Sequence, residues 1–194
     1  RGRSTILHPP MPCFRGWNRW ILIVPVALLG VRMGQLSLVW ADHAQAITAL
    51  RHVIQAVPAG STVALAQVAR DPATSSRWRP TELSDGMPTD IHLGALLAIE
   101  RRSWWPFLFD NPAQQPIVTR EPYRRLAQRV GALPTLPRLE EAEALNLCGF
   151  DYLLLQSIGG TLAQPHWNPR HLELLAERDR WALARVGAAG RCPG

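Results

Sequence analysis

The chain of 194 residues is 47% apolar and only 19% charged, which excludes intrinsic disorder and leaves room for one domain and an anchor. Its formal net charge of +6 invites nucleic acid as a partner, and the distribution of that charge excludes it. Five arginines precede Ala41 with no acid among them, whereas beyond it 16 arginines meet 15 acids, far from the concentrated basic face that duplex binding needs.

Residues 1–19 form a short basic segment expected on the cytoplasmic side. Arg1 stands where a start methionine would, so a fragment or processed product is expected, with Met11 as an alternative start. Residues 20–40 read as a transmembrane helix. Trp20 to Val31 (WILIVPVALLGV) carries no charge, and apolar character resumes at Leu36-Ser37-Leu38-Val39-Trp40. The stretch matches the roughly 20 residues that cross a bilayer core, and tryptophans at both ends suit the two interfaces. Arginines before and within it place the N-terminus in the cytoplasm and Ala41 onward outside.

Arg32 is a membrane-embedded charge in this reading. Near the centre it costs about 2.5–3.5 kcal/mol on insertion scales, against about 5 kcal/mol returned by the Leu, Ile and Val side chains. Pro25, Gly34, Gln35 and Ser37 narrow that margin. The balance improves if Arg32 faces other transmembrane helices of a larger parent protein instead of lipid. A cleaved secretory signal peptide is the competing reading, since Val39-Trp40-Ala41 resembles a cleavage site. The polar stretch around Arg32 lies between that site and the apolar run, which speaks for the anchor.

Residues 41–187 read as an extracytoplasmic α/β domain and 188–194 as a flexible tail. Ile47, Leu50, Ile54 and Val57 recur at helical steps over Ala41–Val57. Ser61–Val68 (STVALAQV) predicts a buried strand after the Pro58-Ala59-Gly60 stop. Arg70–Thr89 predicts a surface loop, and Ile91–Arg102 a helix capped by Thr89 or Asp90. Pro122 and Pro137 open helices to about Val130 and Cys148. Phe150–Gln156 (FDYLLLQ) is the clearest strand. Asn168-Pro169 signals a helix to Arg178, and Trp181–Val186 a last strand. Helices alternating with buried strands predict a small, mainly parallel sheet flanked by helices.

The order of short motifs is familiar. A last membrane helix leads into Trp40-Ala41-Asp42-His43, then come Ile99-Glu100-Arg101-Arg102, Trp105-Pro106-Phe107-Leu108-Phe109, Gln115-Pro116 and Phe150-Asp151-Tyr152-Leu153-Leu154. Over most of residues 30–186 this resembles the C-terminal extramembrane portion of bacterial polytopic membrane proteins of the GT-C glycosyltransferase type, associated with cell-surface polysaccharide. The absence of lysine, with abundant Ala, Leu, Gly and Pro, fits the usage of a GC-rich bacterial genome. The resemblance implies sugar transfer from a polyprenyl-phosphate donor, with catalytic acids in an early loop that this chain does not contain. It therefore implies a non-catalytic extracytoplasmic domain at the bacterial inner membrane, facing the periplasm. Expected partners are the membrane, a lipid-linked sugar and the parent's other helices, with no cofactor. The alternative is a single-pass, membrane-anchored envelope binding or scaffold protein, and a weaker one is an envelope hydrolase.

No catalytic residue and no metal site is assigned from the residues themselves. The six histidines form no HExxH, and His166 and His171 straddle a Pro-rich turn without further ligands. Asp85 and Asp90 lie in a loop, where acids are usually just solvated. Gly159-Gly160 lacks the rest of a phosphate-cradling motif, and Ser103 and Ser157 lack a nucleophile-elbow context. Three cysteines occur, and Cys148 with Cys192 forms the candidate disulfide on the outer side; a buried free thiol at Cys148 is the other reading. Eight tryptophans are a surplus, and Trp104, Trp105, Phe107 and Phe109 crowd one segment. Packing in the core competes there with contact to the membrane or to a sugar.

Overall fold

A computed structural model describes residues 20–69, 92–107, 119–130, 133–158 and 170–187. The chain divides into two units, Arg1–Trp40 and Ala41–Gly194. Helix α1, Trp20–Ile54, is 35 residues long and has residues in both. It is the one helix among the described residues that is long and apolar enough to cross a membrane. In its first part Leu22, Val26, Leu29 and Val31 are all exposed.

The second unit is an α/β domain around a mixed five-stranded sheet. Its strands are β1 (Val63–Val68), β2 (Thr135–Leu136), β3 (Tyr152–Ser157), β4 (Leu172–Arg178) and β5 (Trp181–Val186), in the order β2-β1-β3-β5-β4. β1 runs parallel to β2 and β3, whereas β5 runs antiparallel to β3 and β4. The expected mainly parallel sheet is thus corrected: most paired residues are antiparallel.

The cause is the segment before β5. Residues 168–178 read as a capped helix, yet Leu172–Arg178 is a strand hairpinned to β5 through Asp179-Arg180. Asp179 takes the turn's positive φ of 54°, which Asp tolerates better than most residues. A bulge between Leu174 and Ala176 breaks the period-2 alternation that would have marked the strand. Before it Leu172 joins one face of the sheet; the bulged Leu175 and the following Ala176 both pack on the other. The free edge of β5 overrides the helix propensity of Leu, Glu and Ala.

Two further expectations change in detail. The helix from Pro137 to Cys148 is a 3-10 helix at Leu139–Ala144, and the two-residue β2 carried no readable signal. Strands Val63–Val68, Tyr152–Ser157 and Trp181–Val186 stand where the sequence places them. Every residue of β1 and β3 is buried, because helical layers cover both faces. Ala49, Leu50, Val53 and Ile54 of α1 cover Val63, Leu65, Leu154 and Leu183, joined by Leu97 of α2 (Leu96–Arg101). Leu126 of α3 (Tyr123–Val130) and Leu139 cover Ala64, Ala66, Leu153 and Leu155 on the other face.

Polar ties fix these layers. Arg51 of α1 meets Glu100 at 2.7 Å, and Arg101 Nε donates to the Val57 carbonyl at 2.7 Å. Where β1 and β3 begin, Asp151 Oδ2 accepts from the Thr62 amide at 2.9 Å and the Thr62 hydroxyl at 2.8 Å. Gly149, at φ 88°, makes the turn into this end of β3; a Cβ there would also stand 3.0 Å from Leu126 Cδ1.

Candidate functional site

The aromatic segment divides between the two faces of the sheet. Trp104 bridges to Thr62 at the start of β1, accepting from the Val63 amide at 3.0 Å and donating to the Ser61 carbonyl at 2.9 Å. It therefore continues the line of β2 along the same side of β1. Successive residues of an extended chain point to opposite faces. Trp105 enters the core beneath α1 at 1% exposure, with Phe107 edge-on at 5.7 Å between ring centroids. A Cβ at Gly94 would stand 2.9 Å from the Trp105 indole, so only glycine lets the backbone pass this close. Trp104 packs partly buried on the opposite face, stacked with Tyr123 at 5.1 Å and Phe150 at 6.0 Å. Trp105 thus serves the core, Trp104 and Phe107 stay partly accessible, and Phe109 lies outside the described residues.

A polar row that the sequence reading missed crosses the sheet toward the carboxyl ends of β1 and β3. Thr135, Gln67, Gln156, Trp181 and Arg178 are successive cross-strand partners through all five strands. Gln67 Nε2 donates to Gln156 Oε1 at 3.2 Å, with both side chains buried. Trp181 is fully buried beside them, and its indole N–H has no partner among the described residues. Buried amides are costly unless paired, so this pair also fixes the register of β1 on β3. The legible signal was a Gln near the end of each of two otherwise apolar strands, STVALAQV and FDYLLLQ.

At the row's exposed end an open groove of about 360 Å³ lies between α1 and the β4–β5 turn. Ala44, Gln45, Thr48 and Ala49 line it on one side, Arg178 and Asp179 on the other. Beside it Arg180 pairs with Asp42 at 3.3 Å and approaches Asp179 at 3.8 Å. The groove offers one guanidinium, one carboxylate, an amide and a small apolar floor. That set suits binding by charge and hydrogen bonds and holds no activated nucleophile.

The remaining candidates are scattered. Cys148 is disulfide-bonded, while Cys192 lies outside the described residues. The His171 amide donates to the Glu143 carboxylate at 3.2 Å; His166, Asp85, Asp90 and Gly159-Gly160 lie outside the described residues. Ser103 is buried beside the Pro58 carbonyl at 3.4 Å, and Ser157 is buried at the end of β3. Arg32 sits in the exposed part of α1. Among the described residues no group of three or more His, Cys, Asp or Glu is placed to hold a metal. No protein-family model, no curated protein and no solved structure matches the chain.

Proposed function

We propose that residues 41–187 form a non-catalytic extracytoplasmic domain of a bacterial membrane glycosyltransferase-like or polysaccharide-assembly protein, carried by α1 as a membrane helix. One observation supports this above the others: a single unbroken helix supplies both an apolar, exposed stretch and a layer of the domain core. A soluble domain has no use for an exposed apolar stretch long enough to cross a membrane. The arginine bias before Ala41 supports a cytoplasmic start and a periplasmic domain. The conspicuous residues of the domain are structurally employed: Trp105 and Trp181 fill the core, and Asp151 ties β3 to Thr62. That supports a role in support or binding rather than chemistry. Trp104, partly exposed beside Tyr123, is the aromatic best disposed toward lipid or a lipid-linked sugar.

Two measurements test the proposal. A phosphatase reporter that is active only outside the cytoplasm, fused after Val186, should be active, and a cytoplasmic reporter at the same point silent. The reverse pattern sinks the topology. Deleting residues 41–187 in the host should reduce cell-surface polysaccharide, and restoring the full chain should recover it. Unchanged polysaccharide in the deletion strain removes the glycosyltransferase association and leaves the single-pass scaffold.

A further inference from the structure

The groove between α1 and the β4–β5 turn is built entirely from residues of the second unit. Its volume of about 360 Å³ falls in the range of small-ligand sites. The polar groups along it are of two kinds. Arg178 and the Gln45 amide nitrogen donate, whereas the Asp179 carboxylate, Gln45 Oε1 and Thr48 Oγ1 accept. The Thr48 hydroxyl hydrogen is already given to the Ala44 carbonyl at 2.8 Å. Among the described residues Arg178 and Gln45 have no side-chain hydrogen bond or ion pair. Arg180 is instead committed to Asp42 at 3.3 Å, and Asp179 only approaches it at 3.8 Å. Arg178 and Asp179 thus give the groove one positive and one negative charge, with no net charge.

We propose that this groove binds the headgroup of an amine-bearing zwitterionic phospholipid, its phosphodiester on Arg178 and its primary ammonium on Asp179, Gln45 and Thr48. The inference rests on the reading of α1 as a membrane helix. Ala44 follows Trp40 by four residues, which span at most about 14 Å, so the groove stays within reach of an interface that Trp40 marks. Charge then selects the ligand class. A headgroup of net negative charge leaves Asp179 facing an anion with no cation to offset it. A quaternary ammonium has no N–H for the carboxylate and favours aromatic rings, and no aromatic ring among the described residues lines the groove. A primary ammonium brings three donors, which the carboxylate, amide and hydroxyl oxygens can accept. Arg178 and Asp179 are exposed, so solvent screens them, and each contact changes affinity by about twofold to fivefold.

The test titrates the full chain in detergent micelles with dihexanoyl phosphatidylethanolamine, the matching phosphatidylcholine and phosphatidylglycerol, and free phosphoethanolamine. NMR follows the Gln45 side-chain amide and Arg178 Nε. Phosphatidylethanolamine should shift both signals saturably and bind about twofold to fivefold more tightly than the other lipids and the free headgroup. Asp179→Asn, which the turn's positive φ tolerates, should erase the preference over phosphatidylcholine. Arg178→Gln should weaken all three lipids. Equal binding of the three lipids overturns the proposal, as does an unchanged preference in Asp179→Asn. Free phosphoethanolamine binding as tightly as the lipid overturns the membrane as its source. If Asp179→Asn fails to fold, Arg178→Gln decides: unchanged affinity overturns the site. Micelle binding is independent of topology, so selective binding alongside a reporter that is silent outside the cytoplasm would remove the periplasmic reading and leave the groove's chemistry standing.

Discussion

The two parts of α1 make an instructive pair. Residues 22–40 and 41–54 share one helix, yet Leu22, Val26 and Leu29 of the first are 58%, 67% and 61% exposed, while Leu50, Val53 and Ile54 of the second are fully buried. The difference lies in how polar residues are distributed around the helix. Beyond Trp40, His43, Gln45, Thr48, Arg51 and His52 alternate with Ala46, Ala49, Leu50 and Val53 at helical steps, leaving a single apolar stripe for the sheet. Before Trp40 the apolar side chains run around the whole circumference, interrupted chiefly by Arg32 and Gln35. An all-round apolar helix needs an apolar solvent; a striped one needs only a sheet.

That contrast is most directly tested with two tryptophans. Trp105→Ala should destabilise the sheet domain by about 3–5 kcal/mol, because a buried aromatic leaves a cavity that the surroundings only partly fill. Trp40, 72% exposed, has no such environment, and Trp40→Ala should leave domain stability within about 0.5 kcal/mol. Denaturant titration of the full chain in detergent, followed by hydrogen exchange of the sheet amides, measures both. Equal losses would abolish the distinction between the two parts of the helix.

Arg32→Leu bears on the exposed part alone. The substitution removes a charge costing about 2.5–3.5 kcal/mol in a membrane segment, so the isolated segment should insert much more completely. Membrane retention of a parent with further helices should change little. If the isolated natural segment already inserts fully, the case for neighbouring helices around Arg32 loses its basis.

Legibility followed the same physics. Strands buried on both faces, such as Val63–Val68 and Tyr152–Ser157, announced themselves as short apolar runs between turn residues. The edge strand Leu172–Arg178 did not, because its bulge removes the alternation and its residues favour helix. The aromatic cluster was legible as important but not in its division, since only the Thr62 bridge fixes which ring meets which face. The Gln67–Gln156 pair and the groove at Arg178 arise from register, which no single segment encodes. The disulfide was open in the sequence, but the approach of Arg129 to Cys148 depends on how α3 packs.

Within the domain, Asp151 ranks below the buried aromatics. Asp151→Ala leaves the Thr62 amide and hydroxyl without their carboxylate, at a cost of about 1–3 kcal/mol. Asp151→Asn keeps an oxygen acceptor and should lose less. Hydrogen exchange at Thr62 and Val63 should accelerate in the alanine variant before the centre of β3 responds. Simultaneous acceleration throughout the sheet would show that this tie belongs to the global core.

Glu121 marks the smallest effect. It stands just before α3, where Arg124 Nη2 reaches Oε1 at 2.9 Å and Arg125 Nε lies 3.4 Å from Oε2. Local desolvation is the largest single influence and raises its carboxyl. The hydrogen bond from Arg124, the charges of Arg125 and Arg124, and the Arg125 backbone N–H together outweigh it, holding the group below its ordinary 4.5. A carboxylate depressed in the folded state stabilises the fold above its unfolded value, and that contribution is lost as pH falls through the folded value. The window therefore lies at and below about pH 4.5. All three side chains are exposed, so salt screens the cluster and its contribution to stability is small. Carbon-detected NMR titration of Glu121 in the full chain should place its midpoint below 4.5, and Arg124→Ala should move it upward. The apolar layers on the sheet should stay intact through that titration. A midpoint at or above the ordinary value would mean that desolvation prevails and that the arginines do not hold the carboxylate in solution.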